Sequence, residues 1–150
     1  MYKQKAEMLF RQGYNCAQAV LLAFCDELDM DKETAARLAS SFGGGIGRMR
    51  EVCGAVSGMC MVAGLCKGYS RSDDIGGKKR HYALIQKMVN EFKEKNSSFI
   101  CRELLGLSDG ASAPTPSPRT EQYYRKRPCA ELVGIAAEIA ARELGFDYKK

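Results

Sequence analysis

Fourteen residues, Val52 to Leu65 (VCGAVSGMCMVAGL), are small or apolar on every side. As a helix, such a segment has no face to offer water, so it belongs at the centre of a fold with other helices around it. It is too short for a membrane span, which needs about 20 apolar residues, and no other stretch serves better. The rest of the chain supplies the surrounding layer at helical spacing. Tyr2, Ala6, Leu9, Phe10 and Gly13 share one face of a first helix. Asn15 is placed to cap a second helix from Cys16, with Ala17, Val20, Leu21, Phe24 and Leu28 inward. Asp31 caps a third running to Phe42, and GGGIG then breaks the chain before the central helix.

Beyond it, Ser70 to Lys79 reads as a polar turn. A fifth helix repeats Leu84, Ile85, Met88, Val89 and Phe92 at core spacing. Ser97 or Ser98 caps a short sixth, FICRELL, which Gly106 stops. Residues 107–127 carry Pro114, Pro116 and Pro118 at alternate positions and are predicted to be an irregular, mobile loop. Pro128 takes the first position of a last helix ending at Gly145. No run of alternating strand residues and no internal repeat is present. The 150 residues therefore predict one all-α domain over 1–150. The expected architecture is a compact bundle of about six or seven helices.

Charge and cysteine usage narrow the function classes. The net charge is +5, but acidic and basic residues are interleaved, which suits a solvated surface and not a nucleic-acid groove. The N-terminal MYKQKAEMLFRQGYN is amphipathic and lacks the apolar core of a secretory signal, so the expected compartment is the reducing cytoplasm. Seven cysteines there, an odd number, do not read as a disulfide framework. Metal binding, redox chemistry or use as small buried residues are the readings left.

No C-x-x-C occurs, which removes a thioredoxin-like pair, a zinc-ribbon knuckle and a c-type haem site. Position along the helices carries the information instead. Cys16 follows the cap Asn15, Cys53 starts the central helix, Cys101 follows Ser97–Ser98, and Cys129 follows Pro128. All four fall in predicted first turns, where free N–H groups and the positive end of the helix dipole stabilise a thiolate. Lowering a thiol from roughly 8.5 to roughly 7 takes about 2 kcal/mol, within reach of a helix end and a nearby cation. Arg102, the run Arg125–Lys126–Arg127, and Arg48 with Arg50 adjoin three of the four.

If the four converge, they cannot all ionise, because like charges push the pKa values back up. Shared protons, a disulfide, or a bound metal or cluster relieve that strain, and Cys53 is the first choice for the central thiolate. Cys25 lies about half a turn of phase from Cys16, Cys60 lies two turns below Cys53, and Cys66 ends the central helix. These three are assigned to structure.

YNCAQAVLLAF, FGGGIGRMREVCGAVSG, ICRELLG and PCAELV, in that order, make the chain resemble the bacterial and archaeal C-GCAxxG-C-C family of redox-active proteins. The family's central motif stands here as Cys53, Gly54, Ala55, Val56, Ser57 and Gly58, in the order CGAxxG. The resemblance maps the four characteristic cysteines onto Cys16, Cys53, Cys101 and Cys129, and implies redox function without a substrate. A similar cysteine-bearing helical module in some multihaem cytochromes implies an iron–sulfur centre as one cofactor. This chain has no haem motif.

GGGIG fails as a phosphate loop, since no strand precedes it and the Walker lysine is missing. Gly43, Gly44, Gly45 and Gly54 either let the backbone pass close to the cysteines and offer N–H donors to sulfur, or GGGIG is a plain turn. Gly54, Ala55 and Gly58 form a small-residue face that suits intramolecular packing first and a homodimer seam second. His81, the only histidine, reads as surface-exposed. YYRKRP is a solvated tether, a contact for RNA or an acidic partner, or a lid over the cysteines. Two functional classes result. In the first, the four cysteines transfer electrons to an unknown redox partner, by thiol–disulfide exchange or an iron–sulfur cluster. In the second, they hold zinc in a structural or partner-binding protein without turnover.

Overall fold

The computed structural model describes residues 1–108 and 110–146. Asp109, in the predicted loop, and residues 147–150 of the predicted domain lie outside the described residues. Among the described residues, nine α-helices follow one another: α1 Tyr2–Arg11, α2 Cys16–Leu22, α3 Cys25–Leu28, α4 Lys32–Ala39, α5 Gly54–Lys67, α6 Ile75–Asn96, α7 Cys101–Leu104, α8 Glu121–Lys126 and α9 Cys129–Glu143. The fold is all-α. Among the described residues the only extended pairing is an isolated antiparallel bridge between Val52 and Ile100. No described helix is long and apolar enough to cross a membrane.

The central segment behaves as its composition requires. Gly54, Ala55, Val56, Gly58, Met59, Val62 and Ala63 of α5 are buried, and only the last turn emerges, at Leu65. Its small-residue face is taken up by α2: a Cβ on Gly58 would lie 2.7 Å from the Ala17 carbonyl oxygen and 2.9 Å from Val20 Cβ. That close approach is what glycine is for at this crossing. Helix α9 supplies the other half of the core through Leu132, Val133, Ala136, Ala137, Ile139 and Ala140. Helix α1 contributes Ala6 and Phe10.

Several boundaries differ from the sequence expectation; Pro128 is the N-cap and not the first residue of the last helix, and the helix capped by Asp31 ends at Ala39, short of Phe42. The predicted second helix breaks after Leu22, where Phe24 turns to stack on Tyr2 at 4.6 Å and to meet Phe146 at 5.3 Å. Part of the predicted polar turn is helical, because Asp74 accepts the Gly77 N–H at 2.8 Å and starts α6 at Ile75. Ser97, predicted as an N-cap, instead ends α6 in the left-handed region at φ 71°. Within the predicted irregular loop, Thr120 accepts the Tyr123 N–H and nucleates α8.

Residues 110–120 are irregular and form a strap tied to distant elements. Ser112 N–H donates to the Arg48 carbonyl at 2.8 Å, and Arg48 Nε donates to the Ala113 carbonyl at 2.7 Å. Arg119 donates to the carbonyls of Phe10 at 2.8 Å and Tyr14 at 3.0 Å. These fasten the strap over the C-terminal end of α1.

Candidate functional site

Each of the four singled-out cysteines sits at a helix start. Cys16, Cys101 and Cys129 are the first residues of α2, α7 and α9, and Cys53 is the N-cap of α5. Asn15 fixes Cys16 through a capping box: its side chain accepts the Gln18 N–H at 2.9 Å while Gln18 accepts the Asn15 N–H at 3.0 Å. Cys53 and Cys101 are brought together by the extended segments before their helices. Cys53 N–H donates to Phe99 at 2.8 Å, and Cys101 N–H donates to Glu51 at 2.6 Å.

All four line one cavity of about 400 Å³, whose other walls include Gly43, Gly44, Gly45 and Gly54, Leu104, Leu132, Tyr123 and the strap residues Pro114 and Pro116. Cys53, Cys101 and Cys129 are buried, at 5%, 8% and 8% exposure, and Cys16 is half-buried. All seven cysteines are unpaired thiols. Cys25, Cys60 and Cys66 do not line the cavity.

The glycines allow this convergence by close approach. A Cβ on Gly45, at φ +70°, would lie 2.7 Å from Cys101 Cβ, and one on Gly54 would lie 3.1 Å from Cys16 Cβ. The loop goes further than its glycines require. Ile46, Arg48 and Arg50 also adopt positive φ, at 67°, 66° and 63°. Such conformations are costly for residues with a Cβ and gather at functional sites. The N–H groups that reach a cysteine sulfur are those of Ala55 and Val56, on Cys53.

Electrostatics separates the thiols. Cys129 is lowered to about 7, first by a hydrogen bond from the Cys16 thiol and then by Arg127, Arg119 and Arg50, against the opposing effect of burial. Cys16 is raised well above the usual thiol value, because its proton serves Cys129 and because it is buried. Burial pushes Cys53 up to about 12 in spite of the Ala55 and Val56 N–H groups. Burial also raises Cys101, although Arg50 Nη1 donates to its sulfur at 3.6 Å. The lowered thiol is thus Cys129, whereas Cys53, the first choice from sequence, is raised.

Sequence reasoning missed Arg119, gave Tyr123 and Arg127 within YYRKRP as one reading among three, a lid over the cysteines, and gave Arg48 and Arg50 only as neighbours of cysteines. All five line the cavity. Arg119 lies over the rings of Phe10 at 4.1 Å and Tyr123 at 5.2 Å, and Arg127 over Tyr123 at 5.5 Å. Burial pushes the Tyr123 hydroxyl up to about 12. His81, read as exposed, has its Nδ1 buried without a hydrogen-bond partner among the described residues; its ring meets Tyr69, away from the cavity.

Four cysteine sulfurs are, as donors, the set that suits an iron–sulfur cluster or tetrahedral zinc. Among the described residues, however, no three Cys, His, Asp or Glu side chains are grouped so that they hold a metal ion. The arrangement offers one thiolate with a protonated thiol beside it and two further thiols on the same wall.

No curated protein and no solved structure matches the chain. One family does, described as "putative redox-active protein (C_GCAxxG_C_C)", over residues 14–143, a span that includes all four cavity cysteines. The chain belongs to this C_GCAxxG_C_C redox family.

Proposed function

We propose that this protein carries out thiol–disulfide exchange, with Cys129 as the attacking thiolate and Cys16 as the resolving thiol. The observation that carries the reading is that Cys16 and Cys129, each the first residue of its helix, open together into one arginine-lined cavity, and the Cys129 thiol is lowered there to about 7. A thiolate attacks best when its pKa lies near ambient pH. In the first step the Cys129 sulfur attacks a disulfide, forming a mixed disulfide and expelling one thiolate. Cys16 then gives its proton to that leaving thiolate and attacks the Cys129 sulfur. The Cys16–Cys129 disulfide forms and the second half departs as a thiolate, which takes its proton from solvent. Two protein thiols are oxidised and one disulfide is reduced to two thiols. Cys53 and Cys101, both held protonated by burial, stay as the wall of the site.

The test is peptide-resolved mass spectrometry of anaerobically purified protein before and after one equivalent of a small disulfide, with metal analysis and a visible spectrum alongside. A Cys16–Cys129 disulfide in the wild type, and a stalled mixed disulfide on Cys129 in Cys16→Ser, are the expected outcome. Iron with acid-labile sulfide, or stoichiometric zinc, lost in Cys129→Ser, would replace exchange with the cluster or zinc site that the cysteine count admits.

A further inference from the structure

Arg50 is the most confined cation of the cavity. The residue is 3% exposed, and its recorded side-chain partners are neutral: Ser112 Oγ at 2.9 Å and Cys101 Sγ at 3.6 Å. Arg48, Arg119 and Arg127 line the same space. Among the described residues none of the four is ion-paired with a carboxylate, whereas Arg71, Arg102, Arg125 and Arg142 elsewhere each hold one. Among the described residues, no Asp or Glu lines the cavity. Four guanidiniums thus line the same space as the four cysteines. A buried cation without a counter-anion is costly, and clefts lined by one sign of charge concentrate ligands of the other.

We infer that the cavity receives a small disulfide bearing carboxylates, whose anionic ends satisfy these arginines while its sulfur meets Cys129. The inference rests on the exchange reading above and names its substrate class. Size excludes a folded partner's disulfide: the thiols lie in a space of about 400 Å³ beneath the strap, with Cys129 only 8% exposed. That volume suits a small molecule, and Leu104, Leu105, Pro114 and Pro116 offer apolar contact to its methylene arms. The electrons balance as in the exchange already described: the carboxylated disulfide is the oxidant, leaves as two thiols, and Cys16 and Cys129 become the disulfide.

Three disulfides of similar length test this: dithiodipropionate, with two carboxylates; bis(2-hydroxyethyl) disulfide, which is neutral; and cystamine, with two ammonium groups. Each rate of Cys129 oxidation is divided by that reagent's rate with a free small thiol, which removes intrinsic reactivity. Dithiodipropionate is expected to exceed cystamine by about tenfold or more at low salt, with the ratio collapsing at about 1 M salt. Arg127→Gln, which removes a half-buried cation stacked on Tyr123, should reduce the ratio while circular dichroism shows the fold retained. Cys129→Ser, unable to exchange, should still bind dithiodipropionate and not cystamine by calorimetry. If the neutral reagent oxidises the pair but charge has no effect on rate or binding, the anion inference falls and exchange stands. If no reagent oxidises the pair yet Cys129→Ser binds dithiodipropionate selectively, exchange falls, the oxidant role falls with it, and the anion site remains.

Discussion

Replacing Cys16 by alanine removes the group that does most to hold Cys129 as a thiolate. With its pKa at about 7, Cys129 is about half ionised at pH 7, where a thiol at the ordinary 9.0 is only about 1% ionised. The gain in thiolate is roughly fiftyfold. Against it, a less basic thiolate is a weaker nucleophile, and a Brønsted slope near 0.45 makes two pK units cost about eightfold. The net advantage at pH 7 is therefore about sixfold. At about pH 10 both forms are ionised and the sign reverses, with the unperturbed thiolate about eightfold faster.

In Cys16→Ala the midpoint should move up toward 9.0, since burial then opposes the arginines alone. The assay follows loss of the Cys129 thiol with neutral bis(2-hydroxyethyl) disulfide, quenched by alkylation and read by peptide mass spectrometry from pH 5 to 11. The variant is expected to be up to about sixfold slower than wild type near pH 7 and faster near pH 10, so the two profiles cross. Cys16→Ser keeps a hydroxyl donor at the same place and should recover part of the shift. Profiles of wild type and Cys16→Ala with the same midpoint would refute the role of Cys16, and a wild-type midpoint near 9 would refute the thiolate altogether.

Gly45→Ala puts a Cβ at φ +70°, 2.7 Å from both Cys101 Cβ and the Glu51 nitrogen; left-handed strain and overpacking together should remove about 2–4 kcal/mol by urea unfolding, and a loss under about 1 kcal/mol would mean the loop yields. Stability should also depend on pH through two opposed thiols. Cys129, lowered to about 7, contributes fully above 9.0 and loses its contribution as pH falls through 7. Cys53, raised to about 12, contributes nothing adverse below 9.0 but costs about 1.4 kcal/mol per pH unit above it, because the unfolded chain ionises first. Urea midpoints should rise from pH 7 to 9 in wild type and not in Cys129→Ala, and fall beyond pH 9 less steeply in Cys53→Ala. Arg119→Ala deletes its hydrogen bonds to Phe10 of α1 and to Tyr14 just beyond it, and the stacking on Phe10, so amide exchange across residues 113–118 should accelerate, and unchanged exchange would show that the strap is held without it.

Periodicity and caps made most of the helices legible. Asn15 and Asp31 cap α2 and α4 as their side chains suggest, and the composition of Val52–Leu65 alone implied a buried central helix. These signals act within one or two turns of chain. The errors arise where a distant contact decides. Phe24 leaves helical geometry to join Tyr2 and Phe146, which no pattern near residue 24 announces. Thr120 begins a helix immediately after a proline-rich stretch whose composition suggests only a loop. Arg119 enters the site from a strap 109 residues from its Phe10 partner, so its role exists only after folding. The three positive-φ residues with side chains in the glycine loop were likewise invisible, since Ile46, Arg48 and Arg50 carry no left-handed preference.

The choice among the four thiols follows from what their shared position cannot supply. Every one stands at a helix start, so a helix dipole worth about 0.3–1 kcal/mol does not by itself rank them. Helix length gives a first asymmetry: Cys101 opens a helix of four residues and Cys129 one of fifteen. Yet Cys53 caps a helix of fourteen residues, draws on the N–H groups of Ala55 and Val56, and is still raised to about 12. What Cys53 lacks is a cation among its leading influences, while Cys129 has three arginines and the Cys16 proton. Burial opposes ionisation at both sulfurs, and at Cys129 the Cys16 hydrogen bond first, and then the arginines, offset it. Arg119 and Arg127 reach the site on the strap and α8 side, so the segment that shelters the cavity also charges it. Of the three arginines only Arg119 lies on the strap, so moving the strap would withdraw its charge from Cys129 while Arg127, Arg50 and the Cys16 hydrogen bond remain.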